Sequence, residues 1–110
     1  MTTTKQQQRQ KLRRRQQEEE KRETVILEVH LKQGFAPWKK LFDEDARNRE
    51  GMCDESRTTC AKASDSLAVV TLHSVDMAAF AAFTQDETFA KMVEPYVERH
   101  VPYVGTKIPA

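Results

Sequence analysis

The sequence predicts an α+β fold of the ferredoxin-like class, β-α-β-β-α-β, with four antiparallel strands and both helices on one face of the sheet. Three observations point there. The stretch TVILEVHLK (Thr24–Lys32) alternates apolar and mixed positions, as a half-buried strand does. Two runs at helical spacing follow, one after the first strand and one after the third. Two further β-rich runs flank the turn residues Ser64-Asp65-Ser66, and a last one closes the chain.

In the first strand Val25, Leu27, Val29 and Leu31 fall on one side and Ile26, Glu28, His30 and Lys32 on the other. Gly34 breaks it. Pro37 suits a first helical position, and Trp38, Leu41, Phe42 and Ala46 then share one helical face. The charged run Asp43–Glu50 supplies the wet face, and Gly51 is a natural stop. Arg57–Ala63 reads as a second, more polar strand and Leu67–Ser74 as a third, the most apolar. Asp76 is an N-cap for a second helix bearing Met77, Phe80 and Phe83. A further cap falls near Thr84 to Asp86, where Thr84-Gln85-Asp86-Glu87 has capping-box spacing ahead of Phe89, Met92 and Val93; Pro95 ends or kinks that run. His100–Ile108 is the fourth strand, where Pro102 implies an edge position or a bulge.

The chain has 110 residues, enough for one domain, placed at residues 24–110. Residues 1–23 form a tail with eight Lys/Arg against four Glu, a net of +4. The remainder holds ten against thirteen, a net of −3, so a basic tail leads a mildly acidic body. Leu12 is the tail's single large apolar residue after Met1, too little to support a core. It reads as a solvated tail, disordered or frayed helix. The alternative is a basic arm centred on Arg13, Arg14 and Arg15, touching an acidic partner, nucleic acid or a larger assembly. No stretch has the roughly 20 apolar residues of a membrane span, and the N-terminus lacks the apolar segment of a secretory signal. The reading is a cytoplasmic protein with Cys53 and Cys60 as free thiols; a disulfide between them would require an oxidising compartment.

Both helices are needed to cover Val25, Leu27, Val29 and Leu31, so the face with Ile26, Glu28 and His30 is left bare. The third strand adds Thr71 and His73 to that face or, in the other phase, Val70 and Leu72. The second adds Thr58, Cys60 and Lys62 or their neighbours. A face so mixed is too apolar for water and too polar for a core. A second copy packing sheet to sheet around a cavity resolves the conflict. The order of elements, and the run DMAAFAAFTQDETFAKMVEPYVERHVPYVGTKI, resemble the dimeric α+β barrel superfamily. That group includes the antibiotic-biosynthesis-monooxygenase-like and stress-responsive barrel families, with small bacterial and cyanobacterial members. Phe35, Trp38 and Phe42 after the first strand, and Thr84 and Asp86 before the last helix, carry the resemblance. It implies a homodimer with monooxygenase-like or isomerase-like chemistry and no tightly bound cofactor. It assigns no catalytic residue.

The candidate acid–base groups are Glu28, His30 and His73, provided all three face one cavity. Ile26, Thr71, Cys60 and Trp38 are the candidate ligand contacts, for a small apolar molecule. Tyr96 and Tyr103 flank the last strand and suit a dimer contact or a pocket mouth. His100 reads as a surface residue. No metal-ligand spacing is present, and three glycines leave no phosphate-cradling loop, so no cofactor is expected.

Overall fold

A computed structural model describes residues 22–105. The tail with Arg13, Arg14 and Arg15, and residues 106–110, lie outside the described residues. The elements run β1 (Glu23–Leu31), α1 (Phe35–Glu44), α2 (Ala46–Glu50), a 3-10 turn (Glu55–Arg57), β2 (Thr59–Ser64), β3 (Leu67–Val75), α3 (Met77–Thr84), α4 (Glu87–Val93) and β4 (Val97–Gly105). The four strands form one antiparallel sheet in the order β2-β3-β1-β4, which fits a ferredoxin-like arrangement.

The alternation read in β1 is realised. Val25 and Val29 are each 1% exposed, and their partners across the β1–β3 ladder, Leu72 and Ala68, are equally buried. Leu27 and Val70 lie between them on the same side. The register puts Ile26, Glu28 and His30 opposite Thr71, Val69 and Leu67 on the other side. None of these six is buried. Trp38, Phe42, Phe80, Phe83 and Phe89 all meet the buried side of the sheet, so both helical pairs lie on one face.

Each helix end has a local cause. Asp76 caps α3, its carboxylate accepting from the amides of Ala78 and Ala79 at 3.1 and 3.2 Å. The cap of α4 is Asp86, which accepts from Thr88 N, whereas Thr84 ends α3 with its hydroxyl donating to Ala81 O. The capping-box spacing at Thr84 is therefore not used. α1 begins at Phe35, two residues before Pro37, and its cap comes from elsewhere. Asp65, in the β2–β3 turn, accepts from Phe35 N at 3.2 Å. That approach needs Gly34 at φ +94°, where a β-carbon would stand 3.0 Å from the Asp65 carboxylate.

The strand bounds also shift. β2 starts two residues later than read, because Glu55–Arg57 coils into the 3-10 turn. β4 starts three residues earlier, at Val97, and contains His100 and Pro102. β4 is an edge strand, as Pro102 requires, and a bulge lies opposite its start between His30 and Leu31. A second irregularity lies between Glu23 and Val25, where Ser74 on β3 takes φ 51°.

Candidate functional site

A cavity of about 60 Å³ lies between the helices and the sheet. The sheet supplies short side chains to its floor, among them Leu27, Val29, Val70 and Leu72. Its walls are aromatic. On one side Trp38 stacks against Phe42 with ring centres 5.1 Å apart, and Phe35 lies 5.9 Å from Trp38. On the other Phe83 meets Phe89 at 4.3 Å, and Phe89 lies 5.8 Å from the His100 ring. A second space of about 320 Å³, lined by Asp45, Asn48, Asp86 and Thr88, adjoins it. Asp45, Phe83, Phe89 and Met92 line both, so a more polar space borders the apolar chamber.

Three polar side chains reach the inner chamber: Asp45, Arg49 and His100. Two are committed. Arg49 is 5% exposed; its Nε and Nη2 donate to the Glu55 carboxylate at 2.8–3.2 Å, and its Nη1 donates to Phe42 O at 2.8 Å. The guanidinium also lies 3.7 Å above the Phe42 ring. Asn48 Nδ2 donates to Asp45 Oδ1. His100 is different. It pairs with Val29 in the ladder, so its ring turns toward the helices, and it makes no side-chain hydrogen bond among the described residues.

Burial pushes the His100 imidazole below the ordinary histidine value of 6.5. The unfolded chain therefore takes up this proton more readily than the folded one. His100's contribution to stability is complete above about pH 6.5 and is lost as pH falls toward the folded value. Urea midpoints are expected to drop between about pH 7 and about pH 5, and His100→Phe to drop less over that interval. Equal drops in both proteins would refute this assignment.

The bare face of the sheet is a separate surface. There His30 Nε2 lies 3.3 Å from Glu28 Oε2, and Thr71 and Ile26 are ladder partners. The neighbouring Glu28 carboxylate pushes the Tyr103 phenol up, and Tyr103, the ladder partner of Ile26, joins this face from β4. Val69 and Val101 stand opposite Glu28 on its two sides. His73 is not part of it. Val69 is the partner of Glu28, and His73 lies four residues further on, about 13 Å along the strand. Glu28, His30 and His73 therefore do not form one acid–base triad within a chain.

Two other sequence candidates lie on the opposite face. Cys60 pairs with Val70 and turns toward the helices, and Lys62 follows it there, its Nζ 5.7 Å from the centre of the Phe35 ring. Trp38, 3% exposed, is a wall of the inner cavity. Neither Cys60 nor Trp38 can share a pocket with Glu28, because the sheet stands between them. Burial raises the pKa of both thiols, Cys53 and Cys60, which suits packing more than nucleophilic attack.

His100 is half-buried on the helix side and is not the surface residue read from sequence. Arg49 and Asp45 were also missed as site residues, yet a signal existed. Trp38, Phe42, Asp45 and Arg49 step by four, three and four, so the last two occupy apolar-stripe positions. A charged residue on the inner stripe of a helix needs a buried partner or a role in a cavity.

Among the described residues no three His, Cys, Asp or Glu side chains are grouped as a metal ion would need, and no helix is long and apolar enough to cross a membrane. No protein-family model, curated protein or solved structure matches the chain.

Proposed function

We propose that this protein binds a small, largely apolar molecule in the cavity between helices and sheet, as one half of a homodimer joined through the bare sheet face. The observation that carries the reading is the aromatic-walled chamber with a more polar space at its border. A well-packed core of this size would close such a space, because each unfilled volume forfeits dispersion contacts. Ligand pockets have this make-up: mostly apolar walls and a few placed polar groups. The sequence alone puts the pocket between two facing sheets; the space that one chain encloses is on the other side of the sheet. The bare face with Glu28, His30 and Tyr103 then serves the dimer contact. Any reaction would draw on the chemistry of the bound molecule, monooxygenase-like or isomerase-like, as the resemblance to the dimeric α+β barrels implies.

Trp38 is the single tryptophan of the chain and lines the chamber, so its emission reports occupancy. Toluene is larger than the inner chamber alone; it is expected to lie across the chamber and the adjoining space that shares Phe83, Phe89 and Met92, and to change that emission saturably. Leu27→Phe, which adds a ring to the chamber floor, is expected to abolish the change while the urea midpoint moves little. Absence of saturation in the unaltered protein, or full binding in Leu27→Phe, would overturn the proposal.

A further inference from the structure

We infer that His100 is the polar recognition group of the helix-side cavity and that its ligand is a small, neutral hydroxyaromatic. The inference rests on the proposed function and specifies its ligand. Three observations carry it. First, both walls of the chamber are aromatic, Trp38 with Phe42 and Phe83 with Phe89, which favours a planar guest that stacks in offset or tilted geometry. Second, no free cation faces the chamber among the described residues. Arg49 is held by Glu55 and Phe42 O, and Asp45, whose Oδ1 accepts from Asn48, offers acceptor oxygens alone, so neither pairs with an anionic ligand. A carboxylate entering here would be desolvated without a partner. Third, His100 lines the chamber and its ring makes no side-chain hydrogen bond among the described residues, while the Phe89 ring centre lies 5.8 Å from its own.

A neutral imidazole has one donor nitrogen and one acceptor nitrogen. A hydroxyl can serve either, so it suits both tautomers. An ether or ketone suits only the donor, and a hydrocarbon suits neither. Burial keeps the ring neutral over the range in which most proteins work, which preserves the acceptor.

The test compares three guests of nearly equal size: phenol, toluene and benzoate. Each is titrated into the full chain with Trp38 emission as the signal, and then into His100→Phe and His100→Gln. Phenol and toluene are expected to bind and benzoate to fail. In His100→Phe the phenol-to-toluene affinity ratio should fall by about three- to tenfold, the worth of one neutral hydrogen bond. His100→Gln, which keeps a donor and an acceptor, should retain part of it. In the unaltered protein the imidazole nitrogen resonances of His100 should move with phenol and stay with toluene, a readout that survives if a variant fails to fold.

If toluene and phenol both bind and neither the ratio nor the resonances respond to His100, the recognition role is wrong and the cavity stands. If neither guest binds, the cavity reading fails and this inference fails with it. Benzoate binding as well as phenol would overturn the neutral-ligand assignment alone.

Discussion

Arg49→Ala is expected to lower the unfolding free energy by about 3 kcal/mol and the melting temperature by about 15 °C. Arg49 ties three segments together from α2. It reaches back to the end of α1 through Phe42 O, forward to the 3-10 turn through Glu55, and its aliphatic stem and guanidinium cover the Phe42 ring. Its own carbonyl accepts from the amides of Met52 and Cys53, which start the path to β2. Truncation would leave Phe42 O without this donor and Glu55, 18% exposed at its side chain, with Thr58 as its remaining side-chain partner. The penalty for the abandoned partners exceeds the worth of the ion pair itself. Arg49→Lys should recover less than half of the loss, because an ammonium cannot make the forked contact or stack as a plane. The double variant Arg49→Met, Glu55→Gln should be more stable than Arg49→Ala, since it leaves no buried charge alone. Urea unfolding of the four proteins forms the comparison. A loss below about 1 kcal/mol in Arg49→Ala would show that this clasp does not hold the helical layer.

The extent to which sequence revealed this molecule follows from which forces act locally. β1 was legible because its two faces differ in polarity, and any slip by one residue would expose Val25, Val29 and Leu31 together. Asp76 was legible because an N-cap is made by residues two or three apart. The next cap was legible only as the span Thr84 to Asp86: Thr84 has the capping-box spacing, but Asp86, two residues later, starts the next helix and takes the role. β2 gave no phase. Its sequence, TCAKAS, has no alternation of polarity, so only pairing with β3 decides that Cys60 turns inward and Ala61 outward. The position of His100 depended on where β4 begins. Local signals after Pro95 left that open by three residues, and the ladder with β1 fixed it. The cavity could not be read at all. Volume between Trp38 and Phe89 depends on the seating of two helical pairs on one sheet, a property of no single segment.

The bare sheet face provides the second large effect. Val69→Asp is expected to convert the proposed homodimer to a folded monomer. Four strands about 4.8 Å apart and about eight residues long present roughly 500 Å² in projection. Side-chain relief brings that near the ~800 Å² per partner of a standard interface. Val69 stands at its centre, on an inner strand, between Glu28 on β1 and Ala61 on β2. In one chain it is half-exposed, so a carboxylate there stays in water and costs folding about 1 kcal/mol. Two sheets packed about 10 Å apart would bury that carboxylate on both copies, beside Glu28, where the charges repel. A few kcal/mol for each ion raises the dissociation constant by about three orders of magnitude. Val69→Thr, which adds no charge, should remain a dimer. Sedimentation at several concentrations reads the state, and Trp38 emission with toluene reads the cavity on the opposite face. Because the sheet separates the two surfaces, the monomeric variant should keep its ligand affinity. An unaltered protein that sediments as a monomer at high concentration would remove the dimer. A Val69→Asp protein that stays dimeric would move the contact to another surface. Loss of binding together with the dimer would mean that the chamber needs the second copy to hold its shape.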